Sequence, residues 1–193
     1  MTSLLRPALS LFLVLTVITG IAYPLAVTGV AQAAFPHQAA GSLLFDPQGH
    51  AVGSTLIGQD YAEPGHFWGR PSATSPRPAD PSNSAGSNLG PLNPALVDAV
   101  EARVAALHAA DPGNTAPVPV DLVTTSASGF DPEISVAAAL YQADRIARAR
   151  GLSADEVRGF VGRRTTERLF GLLGEPRVNV LALNQDLDAV RPR

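Results

Sequence analysis

The longest apolar stretch of the chain lies at its N-terminus. No Asp, Glu, Lys or Arg occurs between Arg6 and Asp46, and residues 7–31 are almost entirely apolar over 25 positions. A membrane-spanning helix needs about 20 apolar residues, whereas the apolar part of a signal peptide usually has about 7 to 15. The pattern therefore predicts a retained single-pass transmembrane anchor over residues 1–31, although Ala31-Gln32-Ala33 has the small-x-small form of a signal-peptidase site.

Charges on either side of this stretch predict its orientation. Arg6 precedes it, and the next arginine is Arg70. Positively charged flanks remain on the cytoplasmic side of a membrane. We therefore expect a cytoplasmic N-terminus in the cell membrane and an extracytoplasmic location for residues 32–193. The small residues inside the stretch are equally consistent with a close partner helix and with an alanine-rich composition; they are Gly20, Ala22, Ala26 and Gly29.

Beyond the anchor, the apolar pattern predicts one domain of the α+β class, with mixed helices and strands and most helices late in the chain. Helix starts are recognised by side-chain caps, such as Asn93 before Pro94, the capping box of Ser153 and Glu156, and Asp131. The predicted elements, in order, are a hairpin (42–45 and 51–58), a helix (93–110), a strand (118–123), a helix (131–150), a helix from 153 to a stop at 174–176, and a strand (178–183).

Residues 60–94 differ from the rest of the domain because they are rich in proline, serine and glycine. Such a composition excludes regular helices and strands. A long irregular loop is usually either disordered or functional. This one contains the only tryptophan of the chain, Trp68, beside Phe67 and Arg70, so we favour the functional interpretation.

Composition limits the chemistry that the domain can perform. All 14 basic residues are arginine, cysteine is absent, and the net charge is -3. Nucleic-acid binding would require a basic face that neutralises phosphates, so no nucleic-acid partner is expected. Without cysteine there is no disulfide framework and no thiol nucleophile. Residues 32–138 carry a net charge of -7, and residues 139–193 carry a net charge of +3.

Familiar metal and nucleotide motifs are absent from the sequence. Two histidines at i and i+4 would place their imidazoles on one face of a helix, but no pair here has that spacing; the histidines are His37, His50, His66 and His108. A phosphate-binding loop would need a glycine-rich turn that ends in lysine, and the chain has no lysine. No metal site is therefore expected.

The segment that most resembles an enzyme site is 124–131, a hydroxyl-rich link between a predicted strand and a predicted helix. A nucleophile elbow would read Gly-x-Ser-x-Gly there, but the first glycine is missing. One interpretation is a membrane-tethered serine hydrolase that uses Ser126 or Ser128. Another is that the hydroxyls satisfy backbone groups and that Asp131 caps the helix. A third interpretation of the whole chain is a secreted binding domain released at Ala33.

Several segments spread over nearly the whole chain form one recognisable pattern. In order, they are TGIAYPLAVTGVAQAAFPHQAAGSL, GSTLIGQ, FWGRPSAT, GSNLGPLNP, VPVDLVTTSASGFDPEIS, YQADRIARARG and GEPRVNVLALNQDLD. Together they closely resemble the C subunit of the Kdp potassium-transporting ATPase. Because several motifs match in the same order, the resemblance is specific.

The resemblance implies a non-catalytic accessory subunit of a high-affinity, ATP-driven potassium uptake complex in the bacterial cell membrane. The implied partners are a channel-like potassium-translocating A subunit, a P-type ATPase B subunit and a small F subunit. The family is described as a catalytic chaperone that raises the affinity of the ATPase subunit for ATP. No tightly bound cofactor and no catalytic residue are expected, and ATP would be met through the complex.

The resemblance also indicates candidate nucleotide contacts. In the family, a Ser-Gly-Gly-Ser-Asn stretch has been likened to the signature of ABC transporters. It corresponds here to Ser84, Gly86, Ser87 and Asn88, with Ala85 in place of a glycine.

Two segments, 67–94 and 124–135, are predicted to be partner-contact surfaces. We expect the domain to pack on the external face of the translocating subunit and to stabilise the assembled complex. The candidate contact residues are Phe67, Trp68, Arg70, Asn88 and Asp131.

Overall fold

The computed structural model describes residues 2–190 of the chain. It divides into two compact units, Met1–Leu43 and Leu44–Arg193. The first unit is built from helices, and the second mixes helices with strands. This mixture confirms the predicted α+β class.

A continuous helical segment forms most of the first unit. Helix α1 spans Thr2–Val17, a π-helical turn spans Ile18–Ala22, α2 spans Tyr23–Ala34, and the short α3 spans Pro36–Ala39. The stretch Leu4–Ala34 has 31 residues, and an 18-residue window within it has a mean hydropathy of 2.1. At 1.5 Å per residue it is about 46 Å long, whereas a bilayer core is about 30 Å thick. The structure thus confirms one N-terminal apolar helix that is long enough to cross a membrane.

The π-helical turn lies directly before Pro24. Tyr23 donates its backbone N–H to the carbonyl of Ile18, five residues earlier, instead of four as in an α-helix. Proline has no N–H, and its ring crowds the carbonyl of the preceding turn. The wider turn upstream therefore accommodates the ring, and Pro24 itself lies in the first turn of α2, where proline is best tolerated.

The second unit begins with the predicted β-hairpin. Strand β1 spans Leu43–Phe45 and β2 spans Ala51–Ser54. The carboxylate of Asp46 accepts hydrogen bonds from the backbone N–H groups of Gln48 (2.9 Å) and His50 (2.8 Å). These bonds close the turn, so the hairpin is confirmed, with a second strand that ends earlier than predicted.

Helix α4 confirms the predicted start at Asn93. It spans Pro94–Ala110, and the side chain of Asn93 accepts the N–H of Ala95 at 3.0 Å. On its predicted apolar side, Leu107 is buried, whereas Val97 is exposed. This helix therefore lies on the surface of the domain.

A 3-10 helix replaces the strand predicted over 118–123, so that prediction is wrong. The segment Val120–Leu122 is 3-10 helical. In this conformation the carboxylate of Asp121 accepts the N–H (2.7 Å) and the hydroxyl (3.1 Å) of Ser135. A short apolar run is compatible with either a strand or a 3-10 helix, and these hydrogen bonds favour the 3-10 helix.

The helix predicted to begin at Asp131 begins later, so this start is wrong. Strand β3 spans Glu133–Ser135, and helix α5 spans Val136–Arg150. Ser135 is the N-cap, since its hydroxyl accepts the N–H of Ala138 at 3.0 Å. The predicted stop is confirmed, because Gly151 ends α5 in the left-handed conformation with φ of 67°.

Helix α6 begins with the predicted capping box. The hydroxyl of Ser153 accepts the N–H of Glu156 (3.2 Å), and the carboxylate of Glu156 accepts the N–H of Ser153 (2.9 Å). The helix spans Ala154–Arg164. Its predicted continuation to 174 is wrong, because Thr165–Thr166 pairs with a neighbouring strand as β4.

The strand predicted over 178–183 is wrong beyond its first two residues. Strand β5 spans Arg177–Asn179, and helix α7 follows over Val180–Asp188. Asn179 caps this helix by accepting the N–H of Ala182 at 3.0 Å. Strand β5 is the centre of an antiparallel sheet with the order β3-β5-β4.

The hydrophobic core lies among this sheet and helices α5, α6 and α7. Small residues on one side of α5, such as Ala139 and Ala143, are completely buried. The loop before α4 also contributes to the core. The large fully buried apolar side chains are Phe67, Ile146, Val157, Val161, Val178, Leu183 and Leu187.

Candidate interface formed by two loops

The irregular loop at 60–94 is held in place by buried amide side chains. Asn184, 1% exposed, accepts the N–H of Phe67 (2.8 Å) and donates to its carbonyl (3.0 Å). Gln142, also 1% exposed, accepts the N–H of Trp68 (2.8 Å) and donates to its carbonyl (3.1 Å). The loop is ordered because α5 and α7 satisfy the backbone of two consecutive residues.

Arg145 on α5 extends this anchoring toward the start of the loop. Its guanidinium is buried and donates to the carbonyl oxygens of Pro64 and His66 and to Oε1 of Gln142. It also lies 4.6 Å from the centre of the Trp68 ring. Burial lowers the pKa of Arg145 to about 10, so the side chain remains protonated at neutral pH. The loop therefore wraps around a buried cation.

The side chains of Phe67 and Trp68 make most of their contacts within the domain. Phe67 is completely buried and so offers no surface to a partner, which replaces its predicted contact role with a packing role. Trp68 is half-buried, and its indole N–H donates to the carbonyl of Glu63 at 3.0 Å. Of this aromatic pair, Trp68 keeps an accessible edge.

The loop packs against the segment 124–131, so the two predicted contact surfaces meet. Ser126 donates its N–H to the carbonyl of Pro71 (2.8 Å) and accepts the N–H of Ala73 (3.1 Å). These bonds form a short parallel bridge between Ser72 and Ser126. The segments 70–88 and 124–131 are called the paired loops below.

Arg70 ties the paired loops together through its side chain. Its Nε donates to the carbonyl of Thr124 at 3.2 Å, and its Nη1 lies 3.3 Å from the carboxylate of Asp131. The side chains of Arg70 and Asp131 are 34% and 25% exposed. Two predicted partner contacts thus form an ion pair within the chain, at a position that a partner can still reach.

Glycine at two positions allows the paired loops to approach closely. A Cβ at Gly129 would lie 2.1 Å from the backbone oxygen of Asp80, and a Cβ at Gly86 would lie 3.1 Å from the Cβ of Ala127. The N–H of Gly129 also donates to the hydroxyl of Ser84 at 3.2 Å. At position 129, any larger residue would have to displace the backbone.

The four candidate nucleotide contacts lie at one edge of the paired loops. Ser84, Ser87 and Asn88 are exposed, and Gly86 is half-buried. Their segment is irregular, and the next helix begins only at Pro94. Phosphates are commonly bound by the N–H groups at the start of a helix, and this segment is not such a start. The geometry is therefore that of an exposed loop edge.

The hydroxyls of Ser126 and Ser128 are engaged in local backbone turns. Ser126 is buried, and its Oγ accepts the N–H of Ser128 at 3.2 Å. The Oγ of Ser128 accepts the N–H of Phe130 at 3.0 Å. A serine nucleophile needs a general base within hydrogen-bond reach, and within residues 2–190 these hydroxyls contact backbone groups instead. The contacts favour the interpretation in which they stabilise the loop.

A groove of about 510 Å³ opens beside the paired loops. Two large apolar side chains at this groove, Leu56 and Phe130, are 57% and 47% exposed. Protein interfaces commonly combine apolar and polar groups, and both kinds of residue line the groove. Its lining residues are Thr55, Leu56, Ser126, Ser128, Phe130, Asp131, Pro132, Glu133 and Arg177.

The side chains of His50 and His66 take part in separate polar contacts. The Nε2 of His66 lies 3.0 Å from the carboxylate of Asp188, which also pairs with Arg150 at 2.6 Å. Between residues 2 and 190, no cluster of three or more His, Cys, Asp or Glu side chains is arranged to hold a metal ion. His66 therefore belongs to an ion-pair network.

Asp80 gives the paired loops an expected dependence on pH. Hydrogen bonds from the hydroxyl (2.6 Å) and the N–H (3.0 Å) of Ser82 hold the pKa of Asp80 below 3.8. Because the folded-state pKa is lowered, this stabilisation is complete above pH 3.8 and is lost as the pH falls through the folded-state value. We expect Asp80→Asn to lower the Tm at neutral pH and to approach the parent protein in acid, as measured by thermal unfolding.

Ser82→Ala provides the matched control for this prediction. It removes the hydroxyl donor and retains the carboxylate, so it should reproduce part of the loss at neutral pH. A constant difference in Tm between Asp80→Asn and the parent protein at every pH would contradict the assignment.

The comparison with known proteins places the whole chain in one family. The family model described as K+-transporting ATPase, c chain (KdpC) matches residues 5–189. The chain belongs to the KdpC family. This confirms the resemblance that the sequence motifs indicated.

Individual relatives of the KdpC family show the same similarity. The protein named Potassium-transporting ATPase KdpC subunit from Polaromonas naphthalenivorans is 65% identical over 192 residues, which cover 100% of this chain and 97% of the relative. Proteins of the same name from Variovorax paradoxus and Sorangium cellulosum are 64% and 66% identical. Those alignments cover 98% and 97% of this chain and 97% and 98% of the relatives.

The KdpC match includes both compact units. It starts within the apolar helix and ends directly after α7. The chain is thus a subunit of a potassium-transporting membrane ATPase and carries one helix that fits a membrane. The anchors of the candidate interface, Gln142, Arg145 and Asn184, lie within the family segments quoted above, but they were not predicted as site residues.

Proposed function

We propose that this KdpC-family chain is a non-catalytic accessory subunit that binds the potassium-translocating A subunit, the P-type ATPase B subunit and the small F subunit, and stabilises their assembly. The observation that carries the proposal is the match of the whole chain, apolar helix and folded domain together, to the c chain of a K+-transporting ATPase. The match establishes the family, and the accessory role in the complex is what we propose in addition.

The proposed topology has a cytoplasmic N-terminus and an extracytoplasmic folded domain. Arg6 supports it, because Arg6 is the only Arg, Lys, Asp or Glu before Asp46 and positive flanks remain inside. In this topology the domain lies across the membrane from cytoplasmic ATP. An effect on the ATP affinity of the B subunit would then act through the assembled complex, which would favour the conformation that binds ATP.

The paired loops are the proposed contact surface of the domain. They include the partly exposed pair of Arg70 and Asp131 and the exposed ring of Phe130. The exposed side chain of Leu56 lies beside them at the groove. The exposed edge with Ser87 and Asn88 extends this surface. We assign these two residues to a partner contact in preference to a nucleotide contact, because their loop lacks the N–H arrangement of a helix start.

The central experiment is a pull-down from detergent with a tag on the ATPase subunit. We expect the chain to be recovered with the other subunits and the potassium-stimulated ATPase activity to be lost when the chain is deleted. Ser126→Ala combined with Ser128→Ala should retain both assembly and activity. Loss of an ester- or amide-hydrolysing activity of the chain itself in the double variant would instead support the serine hydrolase, and recovery of a fully active complex without the chain would contradict the accessory role.

The topology has its own test because the chain contains no cysteine. A thiol reagent that does not cross membranes should label His108→Cys on intact cells and leave Thr2→Cys unlabelled. Both should react after the membrane is permeabilised. The reverse pattern on intact cells would contradict the proposed orientation.

A further inference from the structure

The hairpin that joins β4 to β5 ends in an exposed apolar tip. Its four large side chains are 58%, 86%, 81% and 61% exposed; in order, they belong to Leu169, Phe170, Leu172 and Leu173. Single exposed apolar residues are common on protein surfaces, but a cluster of large ones marks an interaction site. We call residues 169–173 the hairpin tip.

The turn at the hairpin tip contains a bulky residue in a backbone conformation that is unfavourable for it. Phe170 and Gly171 have φ of 55° and 73°, and the N–H of Leu172 donates to the carbonyl of Leu169 at 3.1 Å. A turn with positive φ at both central residues prefers Asn-Gly or Gly-Gly. A bulky side chain with positive φ is an outlier. The chain thus keeps a large apolar ring where local geometry favours a small polar residue.

The hairpin tip is suited to an apolar solvent because most of its backbone N–H groups are paired. The N–H groups of Leu169, Gly171, Leu172 and Leu173 all donate to carbonyl oxygens within the hairpin. Lipid offers no hydrogen-bond partner, so backbone groups that enter a bilayer must be satisfied internally. The tip also carries no polar side chain, since residues 169–174 are leucine, phenylalanine and glycine.

Charged residues flank the hairpin tip on both sides. Arg168 and Glu175 form an ion pair directly below it. Residues 163–177 contain four arginines and two glutamates, and two of these arginines are paired with carboxylates outside the segment. An apolar end flanked by paired charged groups matches the boundary between acyl chains and polar headgroups.

We propose that the hairpin tip inserts into the headgroup boundary of the bilayer that holds the N-terminal helix. A shallow insertion of a few residues binds a membrane weakly by itself, but a domain already tethered to that membrane needs only a weak second contact. The insertion restricts the motion of the domain at the membrane surface. The proposal requires the apolar helix to be in a membrane, but it does not depend on the accessory role or on the side of the membrane.

The test uses the full-length chain alone in vesicles that contain phosphatidylglycerol. Leu172→Cys gives a unique labelling position for an environment-sensitive fluorophore, because the chain has no cysteine. We expect a blue-shifted emission and quenching by brominated lipids roughly threefold stronger than at a control position. The control is Leu92→Cys on another loop, since Leu92 is 94% exposed.

A second variant shows whether the tip or the label drives the insertion. Phe170→Asn supplies a residue that this turn prefers, so the fold should persist with an unchanged or higher Tm. Quenching of the label at position 172 should nevertheless fall to the level of the control. Full quenching in this variant would show that the label itself inserts, and would overturn the proposal.

The remaining outcomes show whether lipid or a partner protein surrounds the hairpin tip. Equal quenching at positions 172 and 92 in the vesicles would overturn the proposal. Protection of the label only after the other subunits are added, without quenching by brominated lipids, would identify a protein pocket and would also overturn it. Because these vesicles hold no other subunit, a negative result leaves the pull-down prediction untouched.

Discussion

Gly129→Ala is expected to detach the paired loops from each other and to lower the free energy of unfolding by about 3 kcal/mol, at the upper end of the range for an overpacked site. The added Cβ would lie 2.1 Å from the backbone oxygen of Asp80 and 2.4 Å from its carbonyl carbon. Neither atom belongs to a flexible side chain, so the backbone must move. The hydrogen bond from the N–H of Gly129 to Ser84 should be lost as well. Thermal unfolding of the chain in detergent measures the first effect.

The same variant tests whether the paired loops contact a partner. If they do, recovery of the chain in the pull-down and the potassium-stimulated ATPase activity of the complex should both fall. Gly113→Ala is the matched control, since a Cβ there has nothing within 4 Å. A stable, fully assembled Gly129→Ala complex would contradict both the structural assignment and the contact surface.

Asn184→Leu is expected to lower the free energy of unfolding by roughly 3 kcal/mol. The substitution removes both hydrogen bonds to the backbone of Phe67, and each buried unsatisfied group costs about 1–3 kcal/mol. For a chain of this size, the Tm should fall by roughly 6–12 °C. Gln185→Leu on the same helix is the control, because Gln185 donates one hydrogen bond at a more exposed position. Equal losses for the two variants would contradict the anchoring role.

A double-mutant cycle sharpens this prediction. Gln142 holds Trp68 as Asn184 holds Phe67, and the two anchored residues are consecutive. Once one anchor is removed, the loop is partly detached and the second anchor has less to stabilise. The double variant should therefore lose less stability than the sum of the single variants. Strict additivity would show that the two anchors act independently.

The parts of the fold that could be predicted are those with local signals. Asn93 and the capping box at Ser153 mark helix starts through contacts within one turn, and the structure has both. The hairpin at 42–58 was predictable because its turn residues satisfy one another locally. The long uncharged stretch before Asp46 was sufficient to predict the apolar helix.

The parts that could not be predicted depend on contacts distant in sequence. The run after Arg177 is apolar enough for either a strand or a helix, and the change occurs where Asn179 caps α7. Asp131 has the residue type of a cap, but it pairs with Arg70, 61 residues away, and Ser135 caps α5 instead. A short apolar run does not reveal which of these partners it will meet.

The candidate interface was predictable as two segments and not as a packed pair. The composition of 67–94 and 124–135 indicated that both segments matter, but their contact and the burial of Phe67 arise only from the fold. One signal for the anchors is present in the sequence. Gln142 interrupts the apolar side of α5, where its neighbours Ala138 and Ile146 are buried, and a polar residue in such a position usually has a specific hydrogen-bond partner.

The π-helical turn before Pro24 changes the angular phase of the membrane helix. It adds one residue to a turn, and one residue corresponds to a rotation of about 100° around an α-helical axis. Side chains of α1 and α2 that would align in an uninterrupted helix therefore point in different directions. A neighbouring helix that packed along one stripe of α1 would therefore meet a different stripe along α2. Deleting one residue from 18–22 would realign the halves and exchange the stripe that one neighbour meets.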